Sequence, residues 1–96
     1  MDLHPSLERT AALIRRAFPD GVTEADYLPL LTVLYPHMSD RALAMVVGHF
    51  VGQDYPLVLN DIYGVGGGSK PASPDAVAAV QARLVAVGLE AWIKEE

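Results

Sequence analysis

Cysteine is absent from this chain, and positive charge is scarce. Without cysteine the chain can form neither disulfide bonds nor thiolate metal sites, and its redox compartment stays open. Lysine and arginine together number 7 against 12 aspartate and glutamate residues, so that the net charge is −5. Because nucleic-acid binding requires clustered basic side chains, this composition argues against it for most of the chain.

The sequence also lacks a hydrophobic run of membrane-spanning length. The uncharged stretch 42–53 in the apolar middle of the chain is much shorter than the roughly 20 residues that a transmembrane helix needs. The opening residues 1–9 carry neither the basic start nor the apolar core of a signal peptide. We therefore expect a cytoplasmic protein that does not associate with membranes.

Apolar residues, by contrast, are abundant. They make up 51% of the 96 residues, and the mean hydropathy is +0.23, which is high for a small globular domain. The length predicts a single domain over residues 1–96. A domain of this size cannot bury so much apolar surface alone, and we expect part of it to be shared with a protein partner or a second copy of the chain.

The segment from Ser39 to Val51 predicts a central, buried helix. Ser39 is a good N-cap, because its hydroxyl can accept a hydrogen bond from the first helical turn. At 100° per residue the apolar side chains form one broad face, and only Arg41, Met45 and His49 lie on a thin polar seam. A helix this apolar belongs in the interior of a helical domain.

Capping residues and apolar stripes predict further helices on both sides of this segment. Thr23 with Asp26 resembles a capping box, and Ser73 followed by a proline is a typical helix start. The predicted helices run from about 7 to 18, 24 to 34, 39 to 51, 57 to 63 and 74 to 87, with Ser6 as the expected cap of the first. The predicted fold is therefore all-α, a compact bundle of four to five helices around the helix from Ser39 to Val51.

Two segments break the helical pattern. Pro29 lies inside the second predicted helix, where a proline costs roughly 3 kcal/mol, so we expect either a kink or a helix that begins only after Asp26. The glycine-rich stretch 64–70 predicts a flexible loop. It does not match a phosphate-binding loop, because Ser69 precedes the lysine and Pro71 follows it.

Positive charge is concentrated in the first predicted helix. Arg9, Arg15 and Arg16 lie there, whereas residues 19–63 carry six carboxylates against Arg41 alone. We expect this helix to lie against the more acidic remainder of the molecule, with charge helping to set its orientation.

Four short motifs occur between residues 18 and 88. They are Phe18-Pro-Asp-Gly-Val, Asp26-Tyr-Leu-Pro-Leu-Leu, Pro71-Ala-Ser-Pro-Asp-Ala-Val and Val80-Gln-Ala-Arg-Leu-Val-Ala-Val-Gly. In their order and spacing they resemble a family of small actinobacterial, mycobacterial-type helical proteins catalogued as a domain of unknown function. The resemblance implies a compact all-helical domain and implies no activity and no functional residues. The glycines at 64–68 depart from the family, which has the end of a regular helix there.

No group of residues predicts a catalytic, cofactor-binding or metal site. The serines are explained as helix caps or loop residues, and the acidic residues as helix starts or solvated faces. His4, His37 and His49 have neither the mutual spacing nor the neighbouring carboxylates of a zinc site. We therefore predict a protein that is not an enzyme and that needs no cofactor.

A helix-turn-helix regulator is the alternative. The predicted helices 24–34 and 39–51 are joined by a short connector, as in many nucleic-acid-binding proteins. The second of them would be the recognition helix, but it offers Arg41 as its only charged donor. Nucleic acid is therefore the less favoured partner.

The function predicted from the sequence is a non-catalytic protein-interaction or self-association module. It rests on the excess of apolar surface and on the lack of a reactive group of residues. Because aromatic side chains dominate protein interfaces, the candidate contact residues are Tyr35 and Tyr55 at helix ends and Trp92 and Ile93 in the C-terminal tail.

Overall fold

The computed structural model describes residues 7–95, and all regular structure in that range is helical. The helices are α1 (Glu8–Ala17), α2 (Glu24–Leu34), α3 (Asp40–Val51), α4 (Tyr55–Gly67), α5 (Pro74–Ala86) and α6 (Leu89–Glu95), with a short 3₁₀ turn (Tyr35–His37) after α2. The prediction of an all-α bundle is confirmed. The number of helices exceeds the predicted four to five, because the C-terminal tail forms a helix of its own.

Helix α2 occupies the centre of the bundle. It packs against α3, α4 and α5, and its second half, residues 29–34, is buried apart from the half-buried Thr32. A helix that is apolar on every side needs neighbours on every side. The central position that the sequence predicted for α3 therefore belongs to α2, whereas α3 packs mainly against α4.

Helix α3 nevertheless buries the face that its pattern predicts. Its fully buried residues are Leu43, Ala44, Val46, Val47 and Gly48, and Phe50 and Val51 are half-buried. The predicted polar seam of Arg41, Met45 and His49 lies exposed on the other side. The helix is thus amphipathic, with a narrow exposed stripe.

Helix α2 begins earlier than its proline suggests. The Thr23 hydroxyl accepts a hydrogen bond from Asp26 N at 3.3 Å and donates one to Asp26 Oδ2 at 3.0 Å, which confirms the predicted cap at this position. The predicted helix from 24 to 34 is confirmed, and of the two alternatives given for Pro29 the start after Asp26 is wrong, because Pro29 lies inside the helix. Pro29 cannot donate to the carbonyl of Ala25, and its ring is buried together with the second half of the helix.

Two more helix starts agree with the sequence. The Ser39 hydroxyl accepts a hydrogen bond from Ala42 N at 3.2 Å, and the Ser73 hydroxyl accepts one from Ala76 N at 3.1 Å. Each serine satisfies a backbone N–H that the first turn leaves unpaired. Ser6, the predicted cap of α1, lies outside the described residues.

Helix α4 runs to Gly67, one turn beyond its predicted end at Tyr63. The stretch 64–70, predicted as a flexible loop, is therefore helical through Gly67, and only its last residues leave the helix. Gly68 ends α4 with a positive φ of 83°, which is a glycine conformation.

Two glycines in the last turns of α4 make room for side chains from elsewhere. A Cβ at Gly64 would lie 2.7 Å from Lys70 Cγ, and a Cβ at Gly66 would lie 2.5 Å from Tyr35 Oη. These separations are shorter than van der Waals contact. Close packing therefore accounts for the glycines at these two positions.

Helix α6 folds back on α1 through a buried hydrogen bond. The indole Nε1 of Trp92 donates to Thr10 Oγ1 at 3.0 Å, and the two residues are only 3% and 2% exposed. Gly88 precedes the helix with a positive φ of 114°, which redirects the chain after α5. The C-terminal residues thus complete the core beside α1.

Helices α1 and α5 cap each other's C-terminal ends with arginine. Arg83 of α5 donates through Nε and Nη2 to the Ala17 carbonyl oxygen at 3.1 and 2.7 Å. Arg16 of α1 donates through the same two atoms to the Val87 carbonyl oxygen at 3.2 and 3.0 Å. Each guanidinium satisfies a carbonyl at a helix end and complements the helix dipole. The basic first helix packs against α5 and α6. Its Arg16 donates to a backbone carbonyl group there.

Substituting Thr10 by valine tests the buried hydrogen bond. Thr10→Val removes the acceptor of the Trp92 N–H with little change in volume, and an unsatisfied buried donor costs about 1–3 kcal/mol. We expect the free energy of unfolding, measured by urea titration with circular dichroism, to fall by that amount. In a Trp92→Phe background, which has no N–H to satisfy, the same substitution should cost less. Equal costs in the two backgrounds would contradict the role assigned to this bond.

Candidate interaction surface

The large apolar side chains that remain exposed are concentrated at one helix. Within residues 7–95 they are Tyr35, Met45, Tyr55, Leu57, Tyr63 and Val85. Three of these six belong to α4, and Tyr35 lies against α4 at Gly66. Single exposed apolar residues are normal in globular proteins, whereas a contiguous group marks an interaction site.

We define the α4 face as the surface formed by Leu57, Asn60 and Tyr63. At 100° per residue, Leu57 and Tyr63 lie about 60° to either side of Asn60. Leu57 is 58% exposed and Tyr63 is 56% exposed, the two highest values among the large apolar residues described. Tyr55 and Tyr35 border the face on the side of Tyr63. Viewed along the helix axis, Tyr55 and Gly66 both lie farther from Asn60 than Tyr63 does, on the same side, and Tyr35 packs against Gly66.

The charged groups beside the α4 face form one ion pair. Asp61 is the single acidic or basic residue between Tyr55 and Gly67, and the Lys70 side chain that packs over Gly64 neutralises its carboxylate. Its Oδ2 accepts a hydrogen bond from the Tyr27 hydroxyl at 2.6 Å, and its Oδ1 pairs with the Lys70 ammonium. We call Tyr27, Asp61 and Lys70 the Asp61 cluster.

The contacts within the Asp61 cluster shift two pKa values. Burial alone would raise the pKa of Asp61, but the hydrogen bonds from Lys70 and Tyr27 and the Lys70 charge outweigh it and lower the pKa. Burial raises the pKa of Tyr27, and the hydrogen bond to Asp61 and the negative charge of Asp61 raise it further. Asp61 therefore stays ionised and Tyr27 stays protonated around neutral pH.

The Asp61 cluster connects helices and is poorly suited to acid–base chemistry. A general acid or base works best when its pKa lies near the operating pH, and both shifts move away from neutrality. The cluster instead links α2, α4 and the segment after α4. Lys70 N also donates to the Gly64 carbonyl oxygen at 3.0 Å, which fixes the chain where it leaves α4.

The four contact residues predicted from the sequence have different environments. Tyr35 is 37% exposed and Tyr55 is 38% exposed, and both border the α4 face. Trp92 is 3% exposed, and Ile93 is half-buried against the core. Trp92 is therefore a core residue of this chain, because α6 folds over α1 and Thr10 supplies the partner for its N–H.

Sequence reasoning missed Leu57 and Tyr63. The helix predicted over residues 57–63 has these two residues at its ends. The helical period already places Leu57, Asn60 and Tyr63 on one side of that predicted helix, at spacings of three residues. This spacing was the available signal.

The histidines of the described range lie singly at the surface. His37 is edge-on to Trp92 with ring centroids 6.3 Å apart, and His49 is edge-on to Phe50 at 6.0 Å. Across residues 7–95, no three His, Asp or Glu side chains form a group that could hold a metal ion. His4 lies outside this range.

A cleft of about 250 Å³ separates α1 from α6. Its lining residues are Arg9, Ala12, Arg16, Gly88, Ala91, Trp92 and Glu95. Both arginines link helices: Arg9 pairs with Glu95 Oε2 at 2.9 Å, and Arg16 donates to the Val87 carbonyl. The charged groups of the cleft are thus accounted for by contacts between helices.

No single described helix is long and apolar enough to cross a membrane. Helices α5 and α6 reach the necessary length and composition only as a pair, and the pair is bent by 76°. The cytoplasmic location stays a prediction.

In comparisons with known proteins, no family model, no curated protein and no solved structure matches the chain. The resemblance of residues 18–88 to an actinobacterial family therefore stays a prediction, and any statement about function must come from the geometry of the chain itself.

Replacing Asp61 by asparagine tests the Asp61 cluster. Because the folded-state pKa is lowered, the carboxylate adds stability above its unfolded pKa of about 3.9, and this contribution is lost as the pH falls through the folded pKa. We expect the wild type to have the higher free energy of unfolding at pH 7 and the difference to shrink below about pH 4.

The matched control is the same comparison in a Lys70→Met background. Methionine keeps an apolar stem over Gly64 but removes the charge that lowers the pKa of Asp61. The pH dependence of the Asp61→Asn difference should become weaker there. A difference that grows on acidification would show that the carboxylate is not stabilised in its ionised form.

Proposed function

We propose that this protein is a non-catalytic interaction module whose contact surface is the α4 face. The observation that carries the proposal is the concentration of exposed large apolar side chains on α4, beside which the ionic groups form one neutral pair. A small domain that leaves Leu57 and Tyr63 more than half exposed forgoes the free energy of burying them. A partner that covers them recovers it, at roughly 25 cal/mol per Å² of apolar surface.

The residue types around the α4 face are those of interface centres. Tyrosine is enriched at interface hot spots and charged residues are depleted there. Tyr35, Tyr55 and Tyr63 are rigid aromatic groups with few rotatable bonds, so that ordering them on binding costs little entropy. They are also mounted on or beside a regular helix, which holds them in place before a partner arrives.

The ionisable residues support a non-catalytic role. The most elaborate group of them, the Asp61 cluster, has pKa shifts that lead away from neutrality, whereas catalytic acids and bases are tuned toward it. Its three side chains satisfy one another and attach the chain after α4 to α2. Packing alone accounts for the arrangement.

The helix-turn-helix alternative receives less support. Helix α3, the would-be recognition helix, exposes Arg41 as its basic residue. Arg16 and Arg83 donate to helix carbonyl groups, and Arg15 lies over the Phe50 ring at 5.8 Å from its centroid. Phosphate binding would require several of these guanidinium groups to leave their present contacts.

Photocrosslinking from position 63 tests the interaction module in the cells that produce the protein. A photoreactive phenylalanine analogue in place of Tyr63 should form a covalent adduct with one defined polypeptide, because the side chain would lie within the interface. Mass spectrometry then identifies the adduct. The matched control is the same analogue in place of Gln81, which is exposed on α5.

Adding Leu57→Asp should remove the adduct from position 63, because a charge at the centre of an apolar contact is costly to desolvate. Equal labelling from positions 63 and 81, or labelling that persists with Leu57→Asp, would count against the α4 face as the contact surface.

A gel-shift experiment separates the interaction module from the nucleic-acid alternative. We expect no salt-dependent shift of a duplex probe at low ionic strength, because the arginines of α1 are committed to contacts within the protein. Arg15→Ala with Arg16→Ala provides the specificity control. A shift that is present in the wild type, weakens with salt and disappears in this double variant would favour nucleic acid.

A further inference from the structure

We infer that the cleft between α1 and α6 binds a small organic carboxylate, with its carboxylate group on Arg16 and its apolar part over Ala12 and Ala91. The inference is independent of the proposed function, because the residues of the α4 face do not line this cleft. It depends on three properties of the cleft: the charge at its two ends, the free donors of one guanidinium and the small side chains in its middle.

The cleft runs between two antiparallel rows of residues. The rows have helical spacing and consist of Arg9, Ala12 and Arg16 on α1, and of Gly88, Ala91, Trp92 and Glu95 on the side of α6. Arg16 donates to the carbonyl oxygen of Val87, the residue before Gly88, whereas Arg9 pairs with Glu95. Because seven residues separate the two arginines along α1, the ends of the cleft are about 10 Å apart.

The two ends differ in charge. At one end Arg9 Nη2 and Glu95 Oε2 are 2.9 Å apart and form an ion pair. At the other end Arg16 donates to a backbone carbonyl group, which holds the guanidinium in place without neutralising it. Within residues 7–95 no carboxylate pairs with Arg16. The cleft therefore carries one excess positive charge in a chain whose net charge is −5, and this charge favours an anionic ligand.

Arg16 retains donors for such a ligand. A guanidinium has five N–H groups, and Arg16 uses one on Nε and one on Nη2 for the Val87 carbonyl oxygen. Its other three N–H groups have no acceptor among the described residues. The edge formed by Nη1 and Nη2 can thus donate two parallel hydrogen bonds to one carboxylate. The contact with Val87 fixes the guanidinium before a ligand arrives, which lowers the entropic cost of binding.

The middle of the cleft is apolar and narrow. Its walls are Ala12 on α1 and Ala91 on α6, with the Trp92 ring as a further lining group. The volume of about 250 Å³ lies below the roughly 300–1,000 Å³ of sites for drug-sized ligands. The space therefore suits one ring or a short carbon chain, which would cover the apolar walls.

Other anions fit the cleft less well. Inorganic phosphate would pair with Arg16 but would leave the apolar middle uncovered. A dicarboxylate of matching length would bring its second charge to Arg9, where Glu95 already pairs with the guanidinium and would repel it. A carboxylate at one end of an apolar body matches both the charge and the walls. We expect a Kd of about 0.1 to 5 mM, because such a ligand makes one charged contact and covers little area.

A nuclear magnetic resonance titration with benzoate tests the site at constant ionic strength. The chain has one tryptophan and therefore one indole N–H signal, which reports from the wall of the cleft. Benzoate should shift this signal and the amide signals of Gly88 and Ala91 saturably, with a Kd in the stated range. Benzamide has the same shape without the charge and should bind at least about tenfold more weakly.

Two results of this titration overturn the inference. Benzamide that binds as tightly as benzoate would show that Arg16 does not recognise the carboxylate. Inorganic phosphate that produces the same shifts with the same Kd would show that the apolar walls contribute nothing. An absence of saturable shifts up to about 50 mM benzoate would likewise overturn it.

Neighbouring arginines provide a matched pair of charge variants. Arg16→Gln should raise the Kd for benzoate at least about fivefold, because it removes the cation that pairs with the carboxylate. Arg15→Gln makes the same change in net charge, but the Arg15 guanidinium lies over the Phe50 ring outside the cleft, and the Kd should change less than about twofold. Equal effects would reduce the binding to general electrostatic attraction and overturn the site.

Filling the cleft tests its position without touching a charge. Ala91 is exposed on α6, so that Ala91→Leu keeps the core and every polar contact while occupying the space between the helices. It should raise the Kd for benzoate at least about fivefold, whereas Ala79→Leu at an exposed position of α5 should leave it unchanged within about twofold. Unweakened binding to Ala91→Leu would place benzoate elsewhere and overturn the inference, and the proposed role of the α4 face would stand or fall separately by its crosslinking.

Discussion

The pairing of Asp61 with Lys70 decides what kind of surface α4 presents. Lys70 and Tyr27 hold its carboxylate toward α2, and Gly64 leaves the space through which the Lys70 stem reaches it. If the carboxylate were unpaired and turned outward, the most apolar exposed helix of the chain would carry a net charge. The glycines of the last turns weaken the helix intrinsically, and in return they allow the contact that keeps its outer side neutral.

Polar contacts at helix ends organise the bundle around α2. Arg16 of α1 and Arg83 of α5 each donate to a carbonyl oxygen at the end of the other helix. Arg83 also lies over the Phe18 ring at 4.4 Å from its centroid. The apolar core is small in a chain of 96 residues, and non-directional burial alone leaves several packings of similar free energy. Hydrogen bonds to particular carbonyl groups favour one of them, because the alternatives leave helix ends unsatisfied.

Local signals in the sequence predict helix starts better than helix ends. Thr23, Ser39 and Ser73 each mark a start, because one side chain suffices to cap it. The glycines at the end of α4 predict a loop when only their sequence neighbours are considered. Their place in a helix is explained by the side chains of Tyr35 and Lys70, which pack against them. The burial of Trp92 depends in the same way on Thr10, 82 residues away in the sequence. Tyrosines at the α4 face could therefore be anticipated in part, whereas the neutrality of that face could not.

The position of Trp92 gives the molecule a built-in optical label. It is the one tryptophan of the chain, and it is enclosed between α1 and the His37 ring. Fluorescence excited where tryptophan absorbs and tyrosine does not therefore reports on the folded core around α6. Three of the four tyrosines lie at or beside the α4 face, so their near-ultraviolet dichroism is most sensitive to what covers that surface. Unfolding and association can thus be followed at separate wavelengths in unmodified protein.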